Sequence, residues 1–571
     1  MIFTAENILL IGSILIFSSI LISKTGYRFG IPTLLLFLLV GMLFGSDGLG
    51  LEFDSAKDAQ FIGMIALSII LFTGGMDTKI KDIKPVMTKG NNAHSLKHTV
   101  AKGMLWGGVS NTVCQLLSLF FGIYLARLLG PDDYGPIGML AIFTAIAGSL
   151  QDSGFVVAIA NRKTVGHDDY NAVFWFNILI SLFMYAVLYA CAPLIADFFN
   201  QPELVALSRY NFLGFVVAGF SIAPSAYLFR ELKVKQKSIS LILSITISGI
   251  TGIVLAMNGY SYWGIATQSI MYVLVRGVVC WYFTPWRPSF KINFAPLKYL
   301  FAFSYRLLIT NLFQRFNWNI FSFILGKFYP KDVGNYVKAA EWFNMGGEVV
   351  NGMVNAVAQP VLAKVVDDNE RQLRVFRKML RFTAFVAAPL MLGLSLVSKE
   401  LIVVVITEKW IESAQMLQLL AIWGAFMPLQ SMFTNLLVSR GKAAVFMWCT
   451  IIQGLLTLAL LLMLHPYGIR NMIIAYCIFN ALWLFVWHHF AQKEIKLSIR
   501  MFLTDTLPYL CLATVVMAAT HHLTLSIGNM YTLLLARIAI AALLYITIAW
   551  IAGSKELCEI AKFIFKRKVD M

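Results

Sequence analysis

YLARLLGPDDYGPIGM (residues 124–139) and GKFYPKDVGNYVKAAEW (residues 326–342) decide the reading of this chain. Pro131, Asp133 and Gly135 of the first stretch return about 199 residues later as Pro330, Asp332 and Gly334. Each copy closes one long apolar segment and opens another. A proline, an acid and a glycine between two apolar runs make a turn. Their return at this distance implies that a whole group of apolar segments was duplicated. Paired helix groups that rock about a shared midline are a common plan among membrane transporters.

Working outward, the chain has 571 residues, of which 59% are hydrophobic and 13% charged. Apolar runs of about 20 residues are long enough to cross a bilayer as helices, and about seventeen can be counted. The fold class expected is all-α. It is a polytopic membrane protein with about 14 transmembrane helices, in two repeats of about six plus a C-terminal hairpin, preceded by about 3 extra transmembrane helices. The expected divisions are a three-span segment at 1–86, a polar linker at 87–98 and a first lobe at 99–295. A second lobe at 296–491 and a helix pair with a basic tail at 492–571 follow. Spans are expected in the first lobe over 104–126, 136–160, 172–192, 207–228, 238–257 and 262–283. In the second lobe they are expected over 300–325, 336–360, 381–398, 414–437, 443–464 and 469–490, with 503–520 and 531–552 as the hairpin.

The net charge of +17 could suggest nucleic acid. The basic residues sit in short links between apolar runs, however, so they read as topology signals beside an anionic leaflet. The links alternate. Arg162/Lys163, 230–237, Arg287/Lys291/Lys298, Lys364 to Arg381, Arg440/Lys442, Lys493/Lys496/Arg500 and Lys555 to Lys568 are basic. The links around Asp132, Asp197, Asn258, Glu408 and His521 are poor in Lys and Arg. Lys327 and Lys331 break the pattern. The positive-inside rule puts the basic set, and both ends of the fourteen-span unit, in the cytoplasm of a multi-pass membrane protein. No Lys or Arg precedes the first apolar run, so that run is expected to be a retained span rather than a signal peptide.

The seven cysteines are scattered singly, mostly within apolar runs, which suits neither a disulfide framework nor a zinc site. GSDGLG (45–50) lacks the Gly-Lys-Ser/Thr of a phosphate loop, and no His-Glu-x-x-His occurs. His488/His489 and His521/His522 are adjacent pairs, whose side chains diverge on a helix. No cofactor, no metal and no enzyme activity are expected.

Polar side chains at membrane depth usually face a cavity or another helix. Asn111, Gln115 and Ser118 share one helix face, and the repeat shift lands on Thr310, Gln314 and Asn317. Arg306 lies on that stripe, whereas Arg315 falls roughly 140° from Thr310 and is expected off it. On the next helix Glu341, Asn344, Glu348, Asn351, Asn355 and Gln359 fall within ~80°. Asp152 is the repeat counterpart of Asn351 and follows Ser149 and Gln151. The functional reading is a wall of a hydrated cavity, and the bland one is hydrogen-bonding glue between helices. The length of the stripe and its ionisable groups favour the cavity. Arg276 is a separate intramembrane cation that could snorkel to the surface instead. The expected substrate cavity is therefore Arg306, Gln314, Asn317, Gln115, Asn111 and Arg276, with Glu341, Glu348, Asp152 and Asn351 as coupling or cavity acids and their amide neighbour. Arginine suits a phosphate, while carboxylates suit a driving proton or cation.

The two opening stretches, with QPVLAKVVDD (359–368) and EKWIESAQMLQLLAIW (408–423), resemble the polysaccharide transporter family. That family includes the O-antigen, capsule and colanic-acid flippases of bacteria. It sits within the multidrug/oligosaccharidyl-lipid/polysaccharide exporter superfamily. The chain departs from the family at Thr407/Glu408, where a glycine is commoner, and in KAAVF after Gly441. The resemblance implies a flippase that turns a polyprenyl-diphosphate-linked oligosaccharide across the membrane by alternating access. Its expected partners are that substrate, membrane lipids, and a polysaccharide polymerase or glycosyltransferases. Arg306 would hold the diphosphate. Residues 1–50 and LFTGGMDTKIKDIKPV (71–86) resemble instead the start of a bacterial potassium/proton antiporter, which reads as a gene fusion or recombination scar. The alternatives are a drug or cation exporter of the same superfamily, an antiporter, and a non-transporting assembly scaffold. A drug or cation exporter would favour acids in the cavity, and a scaffold would be indifferent to neutralising Arg306.

Overall fold

The computed structural model describes residues 93–152, 159, 165–291 and 293–559, and the side chains of all these but 93–105, 152, 296 and 298–307. The spans expected within 1–86, linker residues 87–92 and the tail from 560 onward lie outside the described residues. Contacts group the chain into two units, 1–97 and 98–571.

Among the described residues every regular element is helical. The first half runs α1 (Ala93–Leu128), α2 (Pro131–Asp152), α3 (His167–Phe199), α4 (Leu204–Asn211), α5 (Leu213–Gly219), α6 (Ile222–Arg230), α7 (Val234–Met257) and α8 (Ser261–Phe283). The second runs α9 (Ala295–Phe328), α10 (Val333–Lys364), α11 (Asn369–Ile406), α12 (Ile411–Gly424), α13 (Met427–Ser439), α14 (Ala443–Leu464) and α15 (Ile469–Ile495). The hairpin α16 (Ile499–Leu523) and α17 (Met530–Ile551) closes the series. α1 takes in the last six residues assigned to the linker, because AHSLKH holds no proline or glycine to stop a helix.

Ten described helices are long and apolar enough to cross a membrane, or twelve if each bent pair is one span. The span expected at 207–228 is broken into α4, α5 and α6, with a 44° bend before α6. That expected at 414–437 bends by 41° between α12 and α13, where Pro428 occupies the first turn and gives up no helical hydrogen bond. α9 and α10 have 34 and 32 residues but fall outside the apolar set. Their amides and charges are the stripes singled out above, so apolarity alone does not reach fourteen spans.

The two copies of the turn motif meet each other. A Cβ on Gly334 would stand 1.8 Å from the carbonyl oxygen of Pro131, so the two backbones touch. Asp133 holds its own turn by accepting from the Gly130 N–H at 2.8 Å, and it also accepts from the Ser261 hydroxyl. An apolar core spanning both halves surrounds this end, including Leu125, Met139 and Phe199 from the first half and Phe321, Leu325 and Trp410 from the second. Trp410 is fully buried, donates through Nε1 to Ala126 O at 2.8 Å, and meets the Tyr134 ring edge-on. Lys327, which broke the charge alternation, donates to Phe198 O and lies over its ring, joining α9 to α3. Its position serves packing rather than topology.

The opposite end of the second half is fastened by charge. Asp505 on α16 is buried and takes a paired contact from Arg377 on α11, at 2.6 and 3.1 Å, and one from Arg381 at 3.1 Å. Arg381 also reaches Glu556 beyond α17, and Tyr509 donates to the same carboxylate. Farther along α11, Glu400 pairs with Arg537 of α17 at 2.8 Å. Both ends of the hairpin are thus tied to one long helix, so the hairpin moves with the second half.

Gly334→Ala should lower the thermal midpoint of the purified protein by about 5 °C or more. Gly135→Ala should be tolerated, because the nearest atom to a Cβ there is Pro330 O at 3.6 Å, an ordinary contact. Equal midpoints for the two variants would contradict the backbone contact. The Glu556 carboxyl is held below its usual value: burial alone would raise it, but hydrogen bonds from Tyr509 and Ser554 and the charge of Arg381 outweigh that. Its contribution to stability is complete above the ordinary glutamate value of roughly 4.3 and is lost as pH falls through the lower folded value. A thermal-midpoint series against pH should show this acid-side loss in the parent protein and a shallower one in Glu556→Gln.

Candidate substrate cavity

Polar groups cannot face acyl chains without cost, so the stripes on α9 and α10 must meet water or partners. They meet water. A cavity of about 990 Å³ opens between α9, α10 and α12 to α15, with one wall from α2. Of the expected residues, Gln314, Asn317, Glu348 and Asn351 line it, together with Asn344 and Asn355 of the same α10 stripe.

Arg315 also lines it, contrary to the expectation from the helical wheel. The wheel assumed a narrow seam. The cavity instead wraps a broad sector of α9 that includes Asn311, Arg315 and Trp318. The backbone of Arg306 lies in α9 and that of Asp152 ends α2, but both side chains lie outside the described ones. Asn111 and Gln115 sit on an exposed face of α1 and do not line the cavity. Their neighbour Ser110 packs into the first half instead, accepting from Ser238 of α7 at 2.8 Å. Arg276 is half-buried on α8, close enough to Lys237 to repel it, and is also off the wall. Glu341 lies at the sealed end, where it accepts from the buried Lys338 ammonium at 2.6 Å. That ammonium stands 4.3 Å from the Tyr134 ring of the first half. Gln359 lies beyond the cavity, exposed. In the first half Gln151 acts as glue: its amide donates to Ser181 Oγ at 2.6 Å and Phe215 O at 2.7 Å.

Among the described residues the cavity wall comes largely from the second half, opposed by a short stretch of α2, Thr144 to Ser149. Gln430, Ser431 and Asn435 on α13, Gln453 on α14 and Asn480 on α15 complete the wall. Sequence reasoning missed these. The signal was present as Gln430, Ser431, Thr434 and Asn435, which recur at helical spacing on a short bent helix.

Some wall amides are committed to one another. Asn435 donates to Asn355 at 2.8 Å, Gln453 to Asn480 at 2.8 Å, and Ser431 to Asn351 at 3.0 Å. Asn317 donates to Thr450 O at 3.0 Å. Among the described residues the side chains of Asn311, Gln314, Asn344 and Gln430 find no hydrogen-bond partner, and Arg315 and Glu348 no ionic one. A fixed amide framework thus holds up a set of uncommitted donors and acceptors.

The contact between turn motifs closes one end. Arg127 donates to the carbonyls of Val404 and Val405 at 3.1 and 2.7 Å, and Lys409 donates to Arg127 O at 2.7 Å. Toward the opposite end, α10 passes from buried residues (Val333 to Ala339) to largely exposed ones (Gly352 to Pro360). The halves meet at one end, and toward the other α10 becomes exposed.

A family model described as "Polysaccharide biosynthesis protein" matches residues 124–415. The lipopolysaccharide biosynthesis protein WzxC of Escherichia coli (strain K12) is 25% identical over 356 residues, covering 61% of this chain and 71% of the relative. The succinoglycan biosynthesis transport protein ExoT of Rhizobium meliloti (strain 1021) is 22% identical over 458 residues, covering 78% and 92%. Among solved structures, the lipid II flippase MurJ in an inward closed conformation superposes with a TM-score of 0.60. It is 17% identical and covers 78% of this chain and 98% of its own, which establishes the fold. A K(+)/H(+) antiporter NhaP2 of Shewanella sp. (strain ANA-3) is 43% identical over 80 residues, only 14% of either chain.

Gly454 on α14 leaves room for Asn317, whose Oδ1 would stand 1.9 Å from a Cβ at that position. Gly454→Ala should destabilise the purified protein by about 1–3 kcal/mol. Adding Asn317→Ala should restore most of the loss, a coupling that a double-mutant cycle of unfolding midpoints reads directly. Additive losses would mean that the two side chains do not compete for this space.

Proposed function

Since the chain belongs to the polysaccharide biosynthesis protein family, we propose that it is a flippase for a polyprenyl-diphosphate-linked oligosaccharide in bacterial surface polysaccharide synthesis, working by alternating access. The observation that carries this reading is a polar cavity inside an apolar helical bundle, closed at one end by the duplicated turns. A headgroup and its sugars need a wet path, while the lipid tail can remain among acyl chains.

The positive-inside rule gives the orientation. The closed end carries the links poor in Lys and Arg, so it faces outward, and the chain stands with its cavity turned to the cytoplasm. All fourteen helical passages cross the inner membrane, α9 and α10 included, and the C-terminus is cytoplasmic. The polar stripes of α9 and α10 are tolerated because they border water rather than lipid. A polymerase and the glycosyltransferases that build the substrate are the partners.

Arg315 takes the diphosphate in this reading, since it reaches the cavity with no carboxylate engaging it. Arg306, on the same helix nearer the cytoplasmic mouth, guides the headgroup in. Glu348 is the free carboxylate of the cavity, and Glu341 is held to Lys338 at the outer closure. Loading Glu348 with a proton or cation, and releasing Glu341 from Lys338, couple the cycle. Asp152, whose backbone ends α2, belongs to the same coupling set.

Deleting the gene should trap lipid-linked oligosaccharide on the cytoplasmic leaflet, and the parent gene should restore export. Arg315→Ala, inserted at normal level, should restore export at least tenfold less well, matching the ~1.5–3 kcal/mol of a hydrogen bond to a charged group. Full export by Arg315→Ala removes the phosphate role. Failure of the deletion to trap substrate removes the flippase reading.

A further inference from the structure

The described wall of the cavity carries one guanidinium, Arg315, and one carboxylate, Glu348, so their charges cancel. Most of its other polar groups are amides and hydroxyls. A primary amide presents two donors and one acceptor oxygen. A sugar hydroxyl both donates and accepts, and an acetamido group carries one N–H and one C=O, so a wall of free amides is complementary to both. The four uncommitted amides, Asn311, Gln314, Asn344 and Gln430, come from three different helices. Beside them Trp318 and Trp423 offer flat apolar faces for the C–H faces of pyranose rings.

Charge decides what such a wall rejects. A diphosphate occupies Arg315. A sugar carboxylate entering the same space finds no second cation among the described wall residues and meets Glu348. An unpaired carboxylate taken from water is costly, and a like charge nearby adds to that cost. We infer that this cavity selects a glycan of uncharged sugars, hydroxylated or N-acetylated, and discriminates against one bearing a hexuronic acid. This rests on the flippase reading and adds what the oligosaccharide is made of.

The test uses the full chain in lipid nanodiscs and the tryptophan emission of the cavity. Three water-soluble probes are compared: citronellyl diphosphate alone, citronellyl diphosphate joined to a tetrasaccharide of hexose and N-acetylhexosamine, and the same tetrasaccharide with one hexose replaced by a hexuronic acid. The uncharged tetrasaccharide should bind about tenfold or more tightly than either of the others. Asn344→Leu and Gln430→Leu, each checked for an unchanged thermal midpoint, should weaken the uncharged glycan probe and leave citronellyl diphosphate as before. Equal or tighter binding of the hexuronic acid probe overturns the inference. So does equal binding of the sugar-free probe, or an equal loss for both probes in the two variants. If none of the three probes binds, the flippase reading fails, and this inference with it.

Discussion

Two backbones touching at Pro131 and Gly334 set what the rest of the molecule can do. The contact has no side chain to flex, so it is made or unmade as a whole. Around it the fully buried Trp410 indole and the Lys338–Glu341 pair beneath the Tyr134 ring fill the space between the halves. Most groups at this closure have their hydrogen bond or ion pair from the other half or from the turn itself. In the proposed cycle this contact is the one that rocking of the two halves about the midline would make and break. The cavity lies on the far side of the closure, where that motion changes access most.

The halves are not used equally. The duplicated turns are symmetric in sequence, yet the described wall of the cavity comes mainly from the second half, and the first supplies a short stretch of α2. The hairpin α16–α17 adds to this asymmetry. It is tied to α11 through Arg377, Arg381 and Asp505 at one end and Glu400 and Arg537 at the other. Among the described residues the second half carries most of the cavity's polar groups, and α2 of the first half stands opposite them.

Much of the architecture was legible in the residues. Length and apolarity gave the helices, the repeat of Pro, Asp and Gly gave the two halves, and the i, i+3, i+4 spacing of α10 picked out Glu348, Asn351 and Asn355 on one wall. What escaped depended on three-dimensional neighbours. A helical wheel places Arg315 off the stripe because it cannot know how broad a sector of α9 borders the cavity. Asn111 and Gln115 share a face by helical spacing, but the packing of α1 leaves that face exposed and away from the cavity. The stripe Gln430, Ser431, Thr434 and Asn435 on α13 was present but short, and the amides of α14 and α15 come singly among apolar neighbours. The break between α4 and α5 carries no proline, but Pro224 in the first turn of α6 has no N–H for the Phe220 carbonyl, a local mark of the 44° bend that the reading of 207–228 as one span passed over.

The central claim is a water-filled hollow, open on the cytoplasmic side and shut at the paired turns. Placing a single cysteine at Asn344 in a background lacking the native cysteines, then applying a membrane-impermeant maleimide to inverted and to right-side-out vesicles, tests it most directly. The account predicts rapid labelling in inverted vesicles and little in right-side-out ones. Absence of labelling from both sides would mean a dry seam or a lipid-facing stripe, and equal labelling from both would mean that the Pro131–Gly334 end does not seal.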